Sequence, residues 1–189
     1  EMLRSLVGSE MCIRDRLWVG ARGLCFALTR RLFGPLDPVD WQLAHPLVFA
    51  VGSRDPITVE QVEALRGALP IAALPDGRAA GDVPASGTTV FQMTESGAGR
   101  TPEDAARDFA DAVADHLRAT RPDGLLATGG ETAQAILDRL GIGVLDVRAE
   151  LAPGLPVSQA RVPWGTLQIA TKSGGFGEPD LLRRIARGD

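Results

Sequence analysis

The residues best equipped for chemistry in this 189-residue chain lie in three glycine-bearing turns. Lys172 is followed by Ser173, Gly174 and Gly175, so a cation stands beside backbone amides that no Cβ covers. That arrangement suits the neutralisation of phosphate oxygens. Gly129 and Gly130 precede Glu131 and Thr132 at what reads as a helix start. Missing Cβ atoms let an anion approach the amides there, and the positive end of the helix favours it. Glu131 and Thr132 could cap that helix, or reach a ribose or a metal. In the third turn, GSRDP, Gly52 permits a sharp bend and Ser53 offers a hydroxyl and an amide. Taken singly, each turn also fits an ordinary strand-to-helix connection, with Glu131 as a cap and Phe176 as a core anchor. Neither a Walker A sequence nor GxGxxG is present.

These turns need elements to hold them. PLVFAVG is a continuous apolar run suited to a strand buried on both faces, ending at Gly52 and Ser53. A helix is predicted from about Thr58 to Leu69, with Thr58 and Gln61 spaced as a capping box. Strands are expected at Ile71 to Leu74 and at Thr88 to Met93. Thr101 as N-cap and Pro102 as first residue open a helix with Ala106, Phe109, Val113 and Leu117 on one face. GLLAT reads as a strand, GGETAQAILDRLG as a turn and helix, and VLDVRAEL as a strand. PGLPVS reads as a turn, TLQIATK as a strand and LLRRIAR as a closing helix. Alternating strands and helices predict an α/β fold, a mostly parallel sheet with flanking helices in three Rossmann-like layers. Ligands of such sheets gather at the carboxyl ends of the strands, where all three turns fall.

Composition narrows the function classes. The chain is 44% hydrophobic and 23% charged with a formal net charge of -4, and no basic stripe offers itself to nucleic acid. No apolar run approaches the roughly 18 residues of a membrane span. The two cysteines, Cys12 and Cys25, and two histidines, His45 and His116, are too few and too scattered for a structural zinc site or a disulfide framework. Both histidines are expected to face solvent, and Trp41 and Trp164 to serve packing near turns. A reducing cytoplasm is the expected compartment.

Together and in order, GSRDPIT, TGGETA, PGLP and TKSGGFG resemble the four-carbon acid sugar kinase family, formerly the DUF1537 family. The likeness runs from about Leu17 to the end. It implies an ATP-binding domain that works beside a separate sugar-acid domain, with Mg²⁺, to phosphorylate threonate, erythronate or 3-oxo-tetronate. Carried over by motif, Ser53 contacts the nucleotide from the first turn. Gly129, Gly130, Glu131 and Thr132 line it from the second, and Gly174 and Gly175 from the third. Lys172 joins them on charge and position alone. Glu131 stands where the family more often has Asp, and GARGL replaces the usual GSAGL. The family's amino-terminal ADDxTG-like motif, which supplies sugar-binding and catalytic acids, is absent, so no catalytic residue and no metal ligand is assigned. The sugar acid is expected to meet a domain not contained here, and homo-oligomer formation is left open.

Residues 1–16 show no periodicity continuous with the rest and resemble a translated sequencing-adapter peptide, so a non-native leader joined to a truncated gene is expected. Residues 17–45 then read as a remnant of the sugar-binding domain with a linker, and 46–189 as the nucleotide-binding domain. Two other classes compete. A dinucleotide oxidoreductase lacks both its glycine fingerprint and the acidic residue about 20 positions on. A non-catalytic module binding a phosphorylated metabolite or a partner chain remains the alternative, favoured if an apolar face is exposed.

Overall fold

The computed structural model describes residues 18–35, 41–79, 81, 83–95, 97 and 99–188. The expected leader and Cys12 lie outside them. The chain divides into two compact units, 1–38 and 39–189. In the first, helix α1 spans Arg22–Phe33 and ends at Gly34, whose positive φ of 80° lets its N–H return to Arg30 O. Along this helix Leu24 and Leu28 are half-buried, whereas Leu32 is exposed. Cys25 is an exposed free thiol.

The second unit is a seven-stranded sheet. Its strands are β1 (Leu47–Val51), β2 (Ile71–Pro75), β3 (Thr89–Thr94), β4 (Gly124–Thr128), β5 (Asp146–Ala152), β6 (Leu155–Val162) and β7 (Gly165–Lys172), in the order β2-β3-β1-β4-β7-β6-β5. The first five in that order run parallel, and β6 and β5 extend the sheet as an antiparallel arm. All five residues of β1 and of β4 are buried, which is why both read as unbroken apolar runs rather than alternating ones.

Helices cover both faces, giving the three expected layers. Helix α3 (Pro102–Thr120) and helix α4 (Gly130–Leu140) pack with Val48, Ala50, Phe91 and Leu125 through Phe109, Val113, Leu117 and Ile136. Helix α2 (Pro56–Glu63) and helix α5 (Leu181–Arg187) belong to the opposite cluster, with Leu47, Phe49, Val51, Val62, Leu182 and Ile185. Successive β1 residues therefore feed opposite cores, as the period of a strand requires. Trp41 to His45, read as linker, belong to this unit: Leu43 is buried, and Trp41 Nε1 donates to Gln168 Oε1 at 3.3 Å.

Several sequence expectations need correction. PGLPVS is not simply a turn; the chain reverses at Gly154, with φ of 86°, and Leu155 already begins β6. The polar residues Ser158, Gln159 and Arg161 hid that strand. In α2 the N-cap is Asp55, whose Oδ1 accepts from Ile57 N at 2.9 Å, with Pro56 at the first position. Thr58 and Gln61 are instead fully buried. On α3 it is Ala105 that is buried, with Ala106 half-exposed. His116, expected to face solvent, is only half-exposed; its ring meets Phe91 edge-on at 4.9 Å, and burial lowers its pKa.

Candidate phosphate-binding cleft

Strands β1, β4 and β7 are neighbours, and their last residues stand in register: Val51 opposite Thr128, and Thr128 opposite Lys172. The turns that follow them, residues 52–56, 129–132 and 173–180, therefore emerge side by side at one sheet edge. All eight sequence-predicted site residues fall in these turns or at their margins. The Gly129 amide donates to Lys172 O at 2.8 Å, tying the second turn to the third.

The glycines are needed for these turns to pack. A Cβ on Gly52 would overlap Thr132 Oγ1, so the first and second turns touch there. One on Gly174 would lie 2.5 Å from Ser53 Oγ, and one on Gly175 would lie 2.9 Å from Asp55 Oδ2, so the first and third turns touch as well. Gly130 differs, because a Cβ there meets nothing within 4 Å and projects into open space. Gly129 has a φ of 91°, a conformation that L side chains rarely adopt.

Helix α4 opens on Gly129 with no side-chain cap. Its first-turn amides, at Gly130, Glu131 and Thr132, have no carbonyl one turn back to receive them, and they stand at the positive end of the helix. Glu131 is exposed beside them, while the Thr132 side chain is nine-tenths buried against Gly52. Thr132 is thus placed to offer its amide, its side chain being engaged in packing.

Lys172 departs most from expectation. Only 2% of it is exposed, and its ammonium turns beneath the third turn rather than toward solvent. Nζ donates to Thr58 Oγ1 at 3.2 Å, to Ser173 O at 3.0 Å and to Gly174 O at 2.9 Å, which occupies its three protons. Desolvation lowers its pKa to about 8, opposed by the Asp55 carboxylate. Sequence reasoning missed Asp55, Thr58 and Gln61 as parts of this cleft. The Asp-Pro pair, an N-cap before a first-position proline, was the available signal for where α2 begins.

Two carboxylates, Asp55 and Glu131, flank the turns, and no cluster of three or more His, Cys, Asp or Glu suited to a metal exists among the described residues. A hollow of about 980 Å³ lies elsewhere, along β5, β6 and β7 near Val144, Arg148 and Gln159, and includes none of the turn residues.

Fold and cleft define a three-layer α/β domain with a glycine-lined cleft at the carboxyl edge of its parallel strands. Residues 48–182 match the family described as the nucleotide-binding C-terminal domain, and the chain belongs to that family. It is similar to a 3-oxo-tetronate kinase of Methylobacterium radiotolerans, 30% identical over 91% of this chain and 48% of the relative. A D-threonate kinase of Cupriavidus necator is 48% identical over 31% of this chain and 15% of its own length. Among solved structures, a DUF1537 protein of Bordetella bronchiseptica, a domain-swapped dimer with bound citrate, superposes with a TM-score of 0.67 at 28% identity. That likeness covers 78% of this chain and 40% of that one. The chain therefore spans less than half the length of these relatives.

Proposed function

We propose that this chain is the ATP-binding half of a kinase for four-carbon sugar acids of the threonate, erythronate or 3-oxo-tetronate type. The observation that carries the reading is the alignment of three glycine turns at β1, β4 and β7 around the uncapped start of α4. Phosphoryl transfer asks a protein chiefly for positioning and for neutralisation of phosphate charge. The amides of Gly130, Glu131 and Thr132 and those of Gly174 and Gly175 receive phosphate oxygens, Ser53 offers its hydroxyl, and the bare face of Gly130 leaves room for the ligand.

Mg²⁺ fits this donor set as a companion of the phosphates. Magnesium is commonly held by one or two carboxylates together with substrate phosphates, and Asp55 and Glu131 are the carboxylates at hand. When bound, it neutralises charge developing on the transferred group. The sugar acid, and the carboxylate that takes the proton of its hydroxyl, belong in this reading to a domain outside this chain. A cytoplasmic location accords with a metabolic kinase, and among the described residues no helix is long and apolar enough to cross a membrane.

The test is thermal unfolding of the chain with and without Mg-ATP, with NADH as the control ligand. A ligand at 100 times its dissociation constant adds about 2.7 kcal/mol, a readily visible shift. A shift with ATP and none with NADH supports the reading. An unchanged transition in folded protein rejects it, and protection by sugar phosphates instead of ATP favours a phosphometabolite-binding module.

A further inference from the structure

The turn at 173–178 is gripped from below. Gly174 O accepts from Lys172 Nζ at 2.9 Å, from Phe176 N at 2.9 Å and from Thr58 Oγ1. Ser173 O accepts from Lys172 Nζ at 3.0 Å. Gln61 Nε2 donates to Phe176 O at 3.0 Å and to Glu178 O at 2.8 Å. Four carbonyls of one short turn are thus drawn toward three side chains, each no more than 2% exposed.

The consequence follows from peptide geometry. In a planar trans peptide the C=O of one residue and the N–H of the next point in opposite directions. Drawing the carbonyls of Ser173, Gly174 and Phe176 inward therefore turns the amides of Gly174, Gly175 and Gly177 away from the grip. Among the described residues, the Gly174 and Gly175 amides make no hydrogen bond. Ser53 and Asp55 pack against these two glycines, so this part of the turn borders the first turn.

We propose that Lys172 is a positioning residue: shared between Thr58 and the Ser173 and Gly174 carbonyls, its buried ammonium aims the Gly174 and Gly175 amides at the nucleotide phosphates. Thr58 and Gln61 complete the grip from α2. Lys172 acts through the turn, touching no ligand itself, which reverses the role that its charge suggests. The inference rests on the ATP-binding reading above.

The grip also has a pH signature. Burial holds the Lys172 pKa near 8, and Asp55 at the head of α2 is the charged group that opposes this lowering. The amine that remains above that pH has two protons for three acceptors and no charge to strengthen them. Nucleotide affinity should weaken as pH rises through that value while the triphosphate keeps its own charge.

The experiment compares the full chain with Lys172→Met, Thr58→Val and, as a control in the opposite core, Val113→Ala. Mg-ATP affinity is measured calorimetrically at pH 7 and pH 9.5, and the ¹⁵N shifts of Gly174 and Gly175 are followed. Expected are a loss of about tenfold in affinity for Lys172→Met, a smaller loss for Thr58→Val, and moved Gly174 and Gly175 resonances in both. Val113→Ala should lose stability with affinity unchanged. Absence of binding by the parent chain rejects the ATP reading itself. Binding by the parent, matched by folded Lys172→Met and Thr58→Val, overturns the positioning role alone. Should Lys172→Met fail to fold, Thr58→Val and the parent pH profile decide: parental affinity in Thr58→Val and a flat profile overturn it.

Discussion

Gly130 and Gly52 stand at the same sheet edge, and one added methyl group separates what they do. At Gly130 the methyl meets nothing of the protein, whereas at Gly52 it overlaps the Thr132 hydroxyl on the neighbouring turn. Gly130→Ala should therefore change unfolding free energy by less than about 1 kcal/mol while weakening Mg-ATP binding about tenfold or more. Gly52→Ala should instead lower stability by about 1–3 kcal/mol, because the turns must separate to admit the methyl. Denaturant titration and calorimetry on the two variants check this. Full Mg-ATP affinity in Gly130→Ala would mean that the open side of α4 is not the ligand side.

At the scale of elements, α3 shows how local rules act together. Thr101 Oγ1 accepts from Asp104 N at 3.1 Å, Pro102 fills the first position, and Glu103 and Asp104 complement the dipole. Thr101→Ala should cost about 1 kcal/mol, read as a lowered urea midpoint with an unchanged slope. Local signals of this kind made the parallel half of the sheet legible, since buried strands and capped helices write their identity into adjacent residues. The antiparallel arm was less legible. Strand β6 carries Pro156, Ser158, Gln159 and Arg161, and its strand state comes from pairing with β5 and β7 rather than from its own pattern. The three turns were visible as glycines following apolar runs. Their contact with one another was not, because it depends on β1, β4 and β7 being neighbours, an outcome of topology. The direction of Lys172 was hidden for a related reason: one of its three acceptors, Thr58, comes from α2, more than a hundred residues earlier.

For the whole molecule, Lys172 couples stability to pH with a definite sign. Its folded pKa, near 8, lies below its ordinary value of 10.5, so the unfolded chain holds the proton more firmly. Between those two values the unfolded state binds more protons, and linkage then requires stability to rise with pH. Below about pH 8 the folded chain carries the full cost of a buried ammonium, and above 10.5 that cost is gone. Relative to Lys172→Met, the parent chain should gain about 2 kcal/mol across the window, the full shift being reduced for solvent reaching the exposed Ser173 side of the turn. Denaturant unfolding of both proteins from pH 7.5 to 10.5 measures it, and parallel curves would show that the amine titrates normally. The positioning role gives nucleotide affinity the opposite sign over the same interval, since the proton whose loss relieves the core also loosens the turn. A lysine that served packing alone would raise stability and leave affinity level. Rising stability with falling affinity thus separates a residue that shapes the cleft from one that merely lies beneath it.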